Sequence, residues 1–191
     1  MSERYQATAA RNVRAAYTHF ISSHSVRHRM NRVADLLDGL VRQLRPARRA
    51  IDWAVQHDIK VVNLSLGTSN QAHEPALRAV VYRALAQGVI IVAAGADSGT
   101  RWLPGSLPGC VQVGLDWECP REEYRVIPLS CGRMVFRASG YPRPIPGVDP
   151  SRNLKGISFA VANMTGFVAR VLEEHPDLTL GQLVATLNRM G

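Results

Sequence analysis

The sequence has no apolar run long enough to cross a bilayer, and residues 1–20 lack the apolar core of a secretory signal peptide. Its three cysteines, Cys110, Cys119 and Cys131, have no metal-ligand spacing, and it contains neither C-x-x-C nor H-E-x-x-H. We therefore expect a cytoplasmic protein whose thiols stay free or buried in a reducing compartment. No metal, no other cofactor and no membrane contact are expected.

Acidic residues are scarce in the first fifty positions, which hold ten Arg, no Lys and three acids, or +7 of the total net charge of +8. The remaining residues carry thirteen bases and twelve acids. A segment this basic indicates an acidic partner, or a solvated helix face without one. Aromatic residues are not interleaved with these arginines, so the base-stacking signature of nucleic-acid binding is missing.

The length of 191 residues and the hydrophobic content of 46% suit one domain with a sizeable core. Near the N-terminus, apolar residues recur at helical spacing at Val33, Leu36, Leu37, Leu40, Val41 and Leu44. We predict a basic helical arm over 1–45 and an α/β domain over 46–191. The apolar face of the arm is expected to pack on the domain or on a second protein, and a second copy of the chain stays open as a partner.

Buried strands alternate with helices after the arm. Val61–Leu66 and Val89–Ala93 are short apolar runs, and Pro75–Gln87 between them is a predicted helix closed by Gly88. This β-α-β order predicts a mostly parallel sheet between two helix layers, a three-layer α/β/α fold.

The second half of the domain is expected to continue the sheet. Further strands are predicted at Val111–Leu115 and Met134–Ala138, with a polar loop or hairpin over Glu118–Arg125 between them. Thr179 and Gln182 form a capping box, which predicts a last helix over Leu180–Met190.

Four segments in a fixed order resemble a known family. They read Asn63-Leu64-Ser65-Leu66-Gly67, then Val92-Ala93-Ala94-Gly95, then Leu103-Pro104-Gly105, then Gly156-Ile157-Ser158-Phe159-Ala160 with its continuation to Gly166. These segments are similar to N-[ML]-S-L-G, V-A-A-[AS]-G-N, Y-P-[AG] and G-T-S-M-A-S-P-H-V-A-G of the subtilisin-like serine proteases. The resemblance covers about residues 48–190. It implies the subtilisin-like α/β fold of that family.

The resemblance implies that Ser158 stands at the position of the family's nucleophile, at the start of a buried helix. The family's aspartate and histidine segments, D-[TS]-G and H-G-[TS]-H, have no counterpart here, so a degenerate and N-terminally truncated or rebuilt member is expected. The asparagine that helps to bind the oxyanion is replaced by Ala96. Because serine attack needs a base and oxyanion donors, Ser158 is expected to be inactive.

The resemblance also implies a peptide-binding cleft, in which a substrate lies as an added strand. Its matching residues are Ser65, Leu66, Gly67, Ala93, Ala94 and Gly95, and close packing of small residues is the alternative interpretation. The main hypothesis is a pseudoprotease that binds a peptide or partner protein. Two alternatives stay open: a serine endopeptidase completed by another chain or by missing N-terminal sequence, and a basic nucleic-acid-binding module.

Overall fold

The computed structural model describes residues 53–54, 56–57, 59–97, 99–149 and 152–191. They belong to the unit Gln43–Gly191, the second of the two units into which the chain divides. The predicted arm over 1–45, with its arginines and its apolar face, lies outside the described residues and stays a prediction.

One sheet with the order β1-β2-β4-β6-β5 runs through the described domain, and a short strand β3 pairs with β2. The strands are β1 (Val61–Leu64), β2 (Ile90–Asp97), β3 (Thr100–Arg101), β4 (Cys110–Asp116), β5 (Tyr124–Pro128) and β6 (Met134–Ser139). Strands β1, β2, β4 and β6 pair in parallel, whereas β5 is antiparallel to β6. The apolar runs that predicted strands therefore form the parallel part of the sheet.

In the described part of the chain the sheet is covered by the helices α1 (Glu74–Ala86), α2 (Ile157–Glu174) and α3 (Leu180–Met190). A short 3₁₀ helix, Gln71–His73, precedes α1. Gly88 has a φ of 71°, in the left-handed region that a glycine adopts without strain, so the chain can turn from α1 into β2. The capping box at Thr179 and Gln182 is present, and α3 has the predicted bounds.

Two hydrophobic clusters lie on opposite faces of the sheet, which confirms the predicted three-layer α/β/α fold. The larger joins α2 and α3 to side chains such as Val92, Val113 and Phe136. The smaller joins α1 to Ile91 and Ala93 on the other face of β2, together with Leu103 and Leu107. Neighbouring residues of β2 thus enter different clusters, as the period of two in a strand requires. No described helix combines the length and apolar character needed to cross a bilayer.

Strand β5, like the short strand β3, was not predicted from the sequence. Arg125 was assigned to a polar loop or hairpin, but it lies inside β5, where it pairs with Arg137 of β6. The alternation in this strand is visible only once the sheet is formed, because Tyr124 and Val126 face the larger cluster while Arg125 faces away from it.

All three cysteines are free, as expected, with Cys119 buried, Cys110 partly buried and Cys131 exposed. Burial raises the pKa of the Cys110 thiol to about 12 and also raises the pKa of Cys119. Cys131 differs, because hydrogen bonding from the backbone and then the side chain of Arg133 lowers its pKa.

The substitution Val168→Asp tests the placement of α2. Val168 is 0% exposed in the larger cluster, so an aspartate there would bury an unpaired charge. We expect a loss of at least about 4 kcal/mol in the free energy of unfolding, measured by urea denaturation. Gly166→Asp on the exposed side of the same helix is the matched control, since no described atom lies within 4 Å of a Cβ added there. Equal stability of the two variants would show that the helix is wrongly placed.

Candidate functional site

The candidate site lies at the edge of the sheet where the parallel strands end. Strands β1, β2, β4 and β6 run in the same direction, so their carboxyl ends meet at this edge. The chain leaves β6 there and enters α2, whose second residue is Ser158. In open α/β sheets this is the edge at which ligands bind.

Gly156 fixes the start of α2 beside the end of β6. Its φ is 148°, a conformation that side-chain-bearing residues rarely adopt. Its N–H donates a 2.9 Å hydrogen bond to the carbonyl of Gly140, directly after β6. The glycine therefore sets the position of the partly buried Ser158 relative to the sheet.

Ser158 and Ser65 form a reciprocal pair between α2 and the residue that follows β1. The hydroxyl of Ser158 donates to the carbonyl of Ser65 at 3.4 Å, and the hydroxyl of Ser65 lies 3.2 Å from the carbonyl of Ser158. The first contact is long for a hydroxyl hydrogen bond, so it stabilises the fold only weakly. Within the part of the chain described, the Ser158 hydroxyl has no other hydrogen-bond partner.

Asn63 extends this pair into a polar network. Its side-chain nitrogen donates to the hydroxyl of Ser65 at 3.2 Å, and its side-chain oxygen lies 3.2 Å from the hydroxyl of Thr165. Asn63 lies in β1 and Thr165 lies in α2, so the network joins strand and helix along two turns. Asn63 belongs to one of the motifs in the sequence, but no role was predicted for it or for Thr165. Their contact spans 102 positions, so local patterns do not indicate it.

A second amide anchors α2 from the side of β6. The side-chain nitrogen of Asn163 donates to the carbonyl of Ser139 at 2.9 Å and to that of Tyr141 at 3.2 Å. Asn163 stands where the resemblance places the histidine of a Pro-His pair. In this chain it holds the loop after β6 against the helix.

None of the three described histidines contacts Ser158. His57 stacks on Trp53 and shares a 2.8 Å hydrogen bond with its carbonyl, while His73 lies beside Asn70. His175 follows the far end of α2, roughly 25 Å from Ser158 at the rise of an α-helix. The remaining histidines, His19, His24 and His28, lie outside the described residues.

The segment after β1 presents unpaired backbone. Thr68 and Leu103 exchange two backbone hydrogen bonds of 2.9 Å, and Ser65 accepts the bond from Ser158. Among the described residues, the backbone N–H and carbonyl groups of Leu66 and Gly67 between them have no hydrogen-bond partner. Both residues are partly exposed in the described chain.

The other predicted peptide-binding residues are buried. Ala93 is 0% exposed, and Ala94 and Gly95 are also buried in β2. The side chain of Gln112 occupies the space beside Gly95, whose carbonyl accepts a 3.0 Å hydrogen bond from the N–H of Trp102. These residues pack the sheet here, and contact with a peptide stays a prediction for them.

Trp102 lies between the two segments predicted to contact a peptide. The N–H of Trp102 donates to the carbonyl of Gly95. The ring carbon Cε3 of Trp102 is 3.5 Å from the position that a Cβ on Gly67 would take. Ala96, where the resemblance places the family's oxyanion asparagine, pairs through the backbone of β2 with Arg101. Its methyl side chain has no hydrogen-bond donor. No group of three metal-binding side chains occurs in the described part of the chain.

Comparison with known proteins relates the chain to one family. The model of the subtilase family, Peptidase S8, matches residues 44–119. Over these residues the chain is similar to the subtilase family. It is 29% identical over 143 residues to subtilisin DY of Bacillus licheniformis, a match that covers 70% of this chain and 50% of that relative. With subtilisin E of Bacillus subtilis (strain 168) it shares 27% identity over 149 residues, 70% of this chain and 36% of the relative.

The subtilase homologue therefore spans between 36% and 50% of the length of these curated relatives. A solved structure of the PatG macrocyclase in complex with peptide aligns with 69% of the chain and 42% of its own length. Its TM-score is 0.45 and its sequence identity is 22%.

The reciprocal serine pair predicts an unequal response to mutation. Ser65→Ala should lower the free energy of unfolding by about 2 kcal/mol, because it leaves the Asn63 amide without its partner. Ser158→Ala removes only the long hydrogen bond and should cost less than about 1 kcal/mol. Urea denaturation of the two variants beside the wild type measures both values. A larger loss for Ser158→Ala would contradict the network described here.

Proposed function

We propose that this subtilase homologue binds an extended segment of a peptide or partner protein and does not cleave it. One observation carries the proposal: the hydroxyl of Ser158 donates to the backbone carbonyl of Ser65 and, within the described residues, to no base. A serine nucleophile needs a base to accept its proton, with a carboxylate to orient that base. Ser158 in this arrangement ties α2 to β1.

Binding is supported by the open backbone beside Ser158. Strand β1 is the first strand of the sheet order and pairs with β2 alone among the described strands. Beyond its end, the backbone groups of Leu66 and Gly67 are unpaired in the described chain. Unpaired groups at a sheet edge bind an extended peptide by adding a strand, and this mode of recognition needs no catalytic triad.

The lack of turnover is supported by Ala96 as well. An alanine cannot donate a side-chain hydrogen bond to an oxyanion, and the loss of one such donor costs on the order of 10²–10³ in rate. A site without a base, an orienting carboxylate and this donor would hold a carbonyl group without reaction.

A fluorophosphonate probe tests the absence of nucleophilic activity. Because the Ser158 hydroxyl lacks a described base, we expect no labelling of the purified chain under conditions that label a subtilisin fully. Intact-mass spectrometry measures the result, and Ser158→Ala provides the background. Stoichiometric labelling that is lost in Ser158→Ala would contradict the proposal. Labelling that requires a second added chain would instead favour the endopeptidase completed by another chain.

Peptide binding has its own test, which does not depend on the first. A peptide selected on the immobilised chain from a random phage library is methylated at each backbone nitrogen in turn. If it pairs as a strand, affinity should fall about tenfold or more at every second residue and little at the others, since alternate N–H groups face the partner strand. Isothermal titration calorimetry measures the affinities. A uniform response along the peptide, or the failure to select any peptide, would count against strand addition.

A further inference from the structure

The face of the sheet opposite α2 carries a second surface, which lies on β5 and β6. Tyr124, Val126 and Phe136 point into the larger hydrophobic cluster, so their neighbours along the strands point to the other face. These neighbours are Arg125 and Ile127 of β5 and Val135 and Arg137 of β6. None of the four belongs to either hydrophobic cluster. We call these four residues the arginine patch.

Two arginines of the patch are directly opposite each other. In the antiparallel register of β5 and β6, Arg125 pairs with Arg137 and Ile127 pairs with Val135. Side chains directly opposite on one face stand with Cβ atoms about 5 Å apart, and like charges at this spacing destabilise a sheet. The sheet therefore holds two positive charges, those of Arg125 and Arg137, opposite each other.

The described residues supply one carboxylate to this pair. The 10% exposed carboxylate of Asp116 accepts a 3.0 Å bond from the guanidinium of Arg125. Arg137 has no ion pair with the described acids, and its guanidinium donates to the carbonyl of Leu115 at 3.2 and 2.8 Å. Arg125 thus has an ion-pair partner, whereas Arg137 has none among the described acids and keeps the capacity to bind an anion.

The patch is accessible among the described residues. The side chain of Arg125 is 53% exposed, and Ile127 is 42% exposed beside the buried Val135. Guanidinium groups bind carboxylates through paired N–H donors, and an apolar side chain next to them adds contact area. The patch thus offers charge and hydrophobic contact side by side.

We propose that the arginine patch binds an acidic segment of a partner protein, with a carboxylate on Arg125 and Arg137 and an apolar side chain on Ile127. Glu118, Glu122 and Glu123, which precede β5, are exposed beside it. They would repel a densely charged nucleic-acid backbone far more than a segment with one or two carboxylates. The site is distinct from the open backbone at Leu66 and Gly67, so it does not depend on peptide binding there.

Fluorescence anisotropy with a labelled decapeptide that carries two glutamates, Gly-Ser-Glu-Val-Glu-Gly-Ser-Gly-Ser-Gly, tests the proposal at about 50 mM salt, where exposed charges are weakly screened. The double variant Arg125→Gln/Arg137→Gln removes both guanidinium groups. The matched control Arg143→Gln/Arg170→Gln removes two other exposed arginines and leaves the same net charge. We expect the dissociation constant to rise about tenfold or more in the patch variant and less than about twofold in the control.

A second variant keeps the test valid if the double variant folds poorly. Ile127→Glu changes an exposed position and adds a negative charge to the patch, so it should also weaken the peptide about tenfold. Circular dichroism melting of each variant checks the fold. Equal weakening in the patch and control variants would assign binding to the overall charge and overturn the proposal. If the patch variant lost affinity for a labelled oligothymidylate as strongly as for the peptide, the result would overturn the proposal in favour of a nucleic-acid surface.

Discussion

Helix α2 packs against all four parallel strands, and its buried side chains join the sheet to α3 in one cluster. Much of the described domain depends on this contact, because the helix covers one whole face of the parallel strands. Buried residues of α2 such as Val161, Met164 and Val168 are fully removed from water, and each contributes roughly 1.5–3 kcal/mol on burial. The position of Ser158 follows from this packing, since Gly156 and the first turn of α2 place it at the sheet edge.

The polar contacts around Ser158 reinforce the same interface. Asn63 and Thr165 meet between β1 and α2, and Ser65 and Ser158 meet one step further along. A partly buried amide is costly to leave without partners, so these groups fix the registration of the helix on the strand. Ser158 is, in this chain, part of the contact between α2 and β1.

The two proposed binding surfaces lie on different parts of the sheet and use different interactions. Beyond β1, the groups proposed to bind a partner are backbone N–H and carbonyl groups, which recognise any extended chain. On β5 and β6, the groups proposed to bind a partner are guanidinium side chains, which recognise negative charge. A partner with an extended segment and an acidic segment would satisfy both, and linkage of two weak contacts raises the total affinity.

Local patterns in the sequence determined much of the described fold. The four parallel strands, the helix over Pro75–Gln87 and the capping box at Thr179 each depend on neighbouring residues, and all were predicted within a few positions. The motif around Ser158 indicated the resemblance to the subtilisin-like proteases and the start of α2.

Only the tertiary structure decided which distant groups meet. The contact of Ser65 with Ser158 joins positions 93 apart, and the pairing of Arg125 with Arg137 requires a strand that looked like a polar loop. Hydrophobic periodicity reports the face on which a residue lies, but it carries no information on which strand will be its neighbour. Strand pairing and helix packing, which depend on the whole chain, set those contacts.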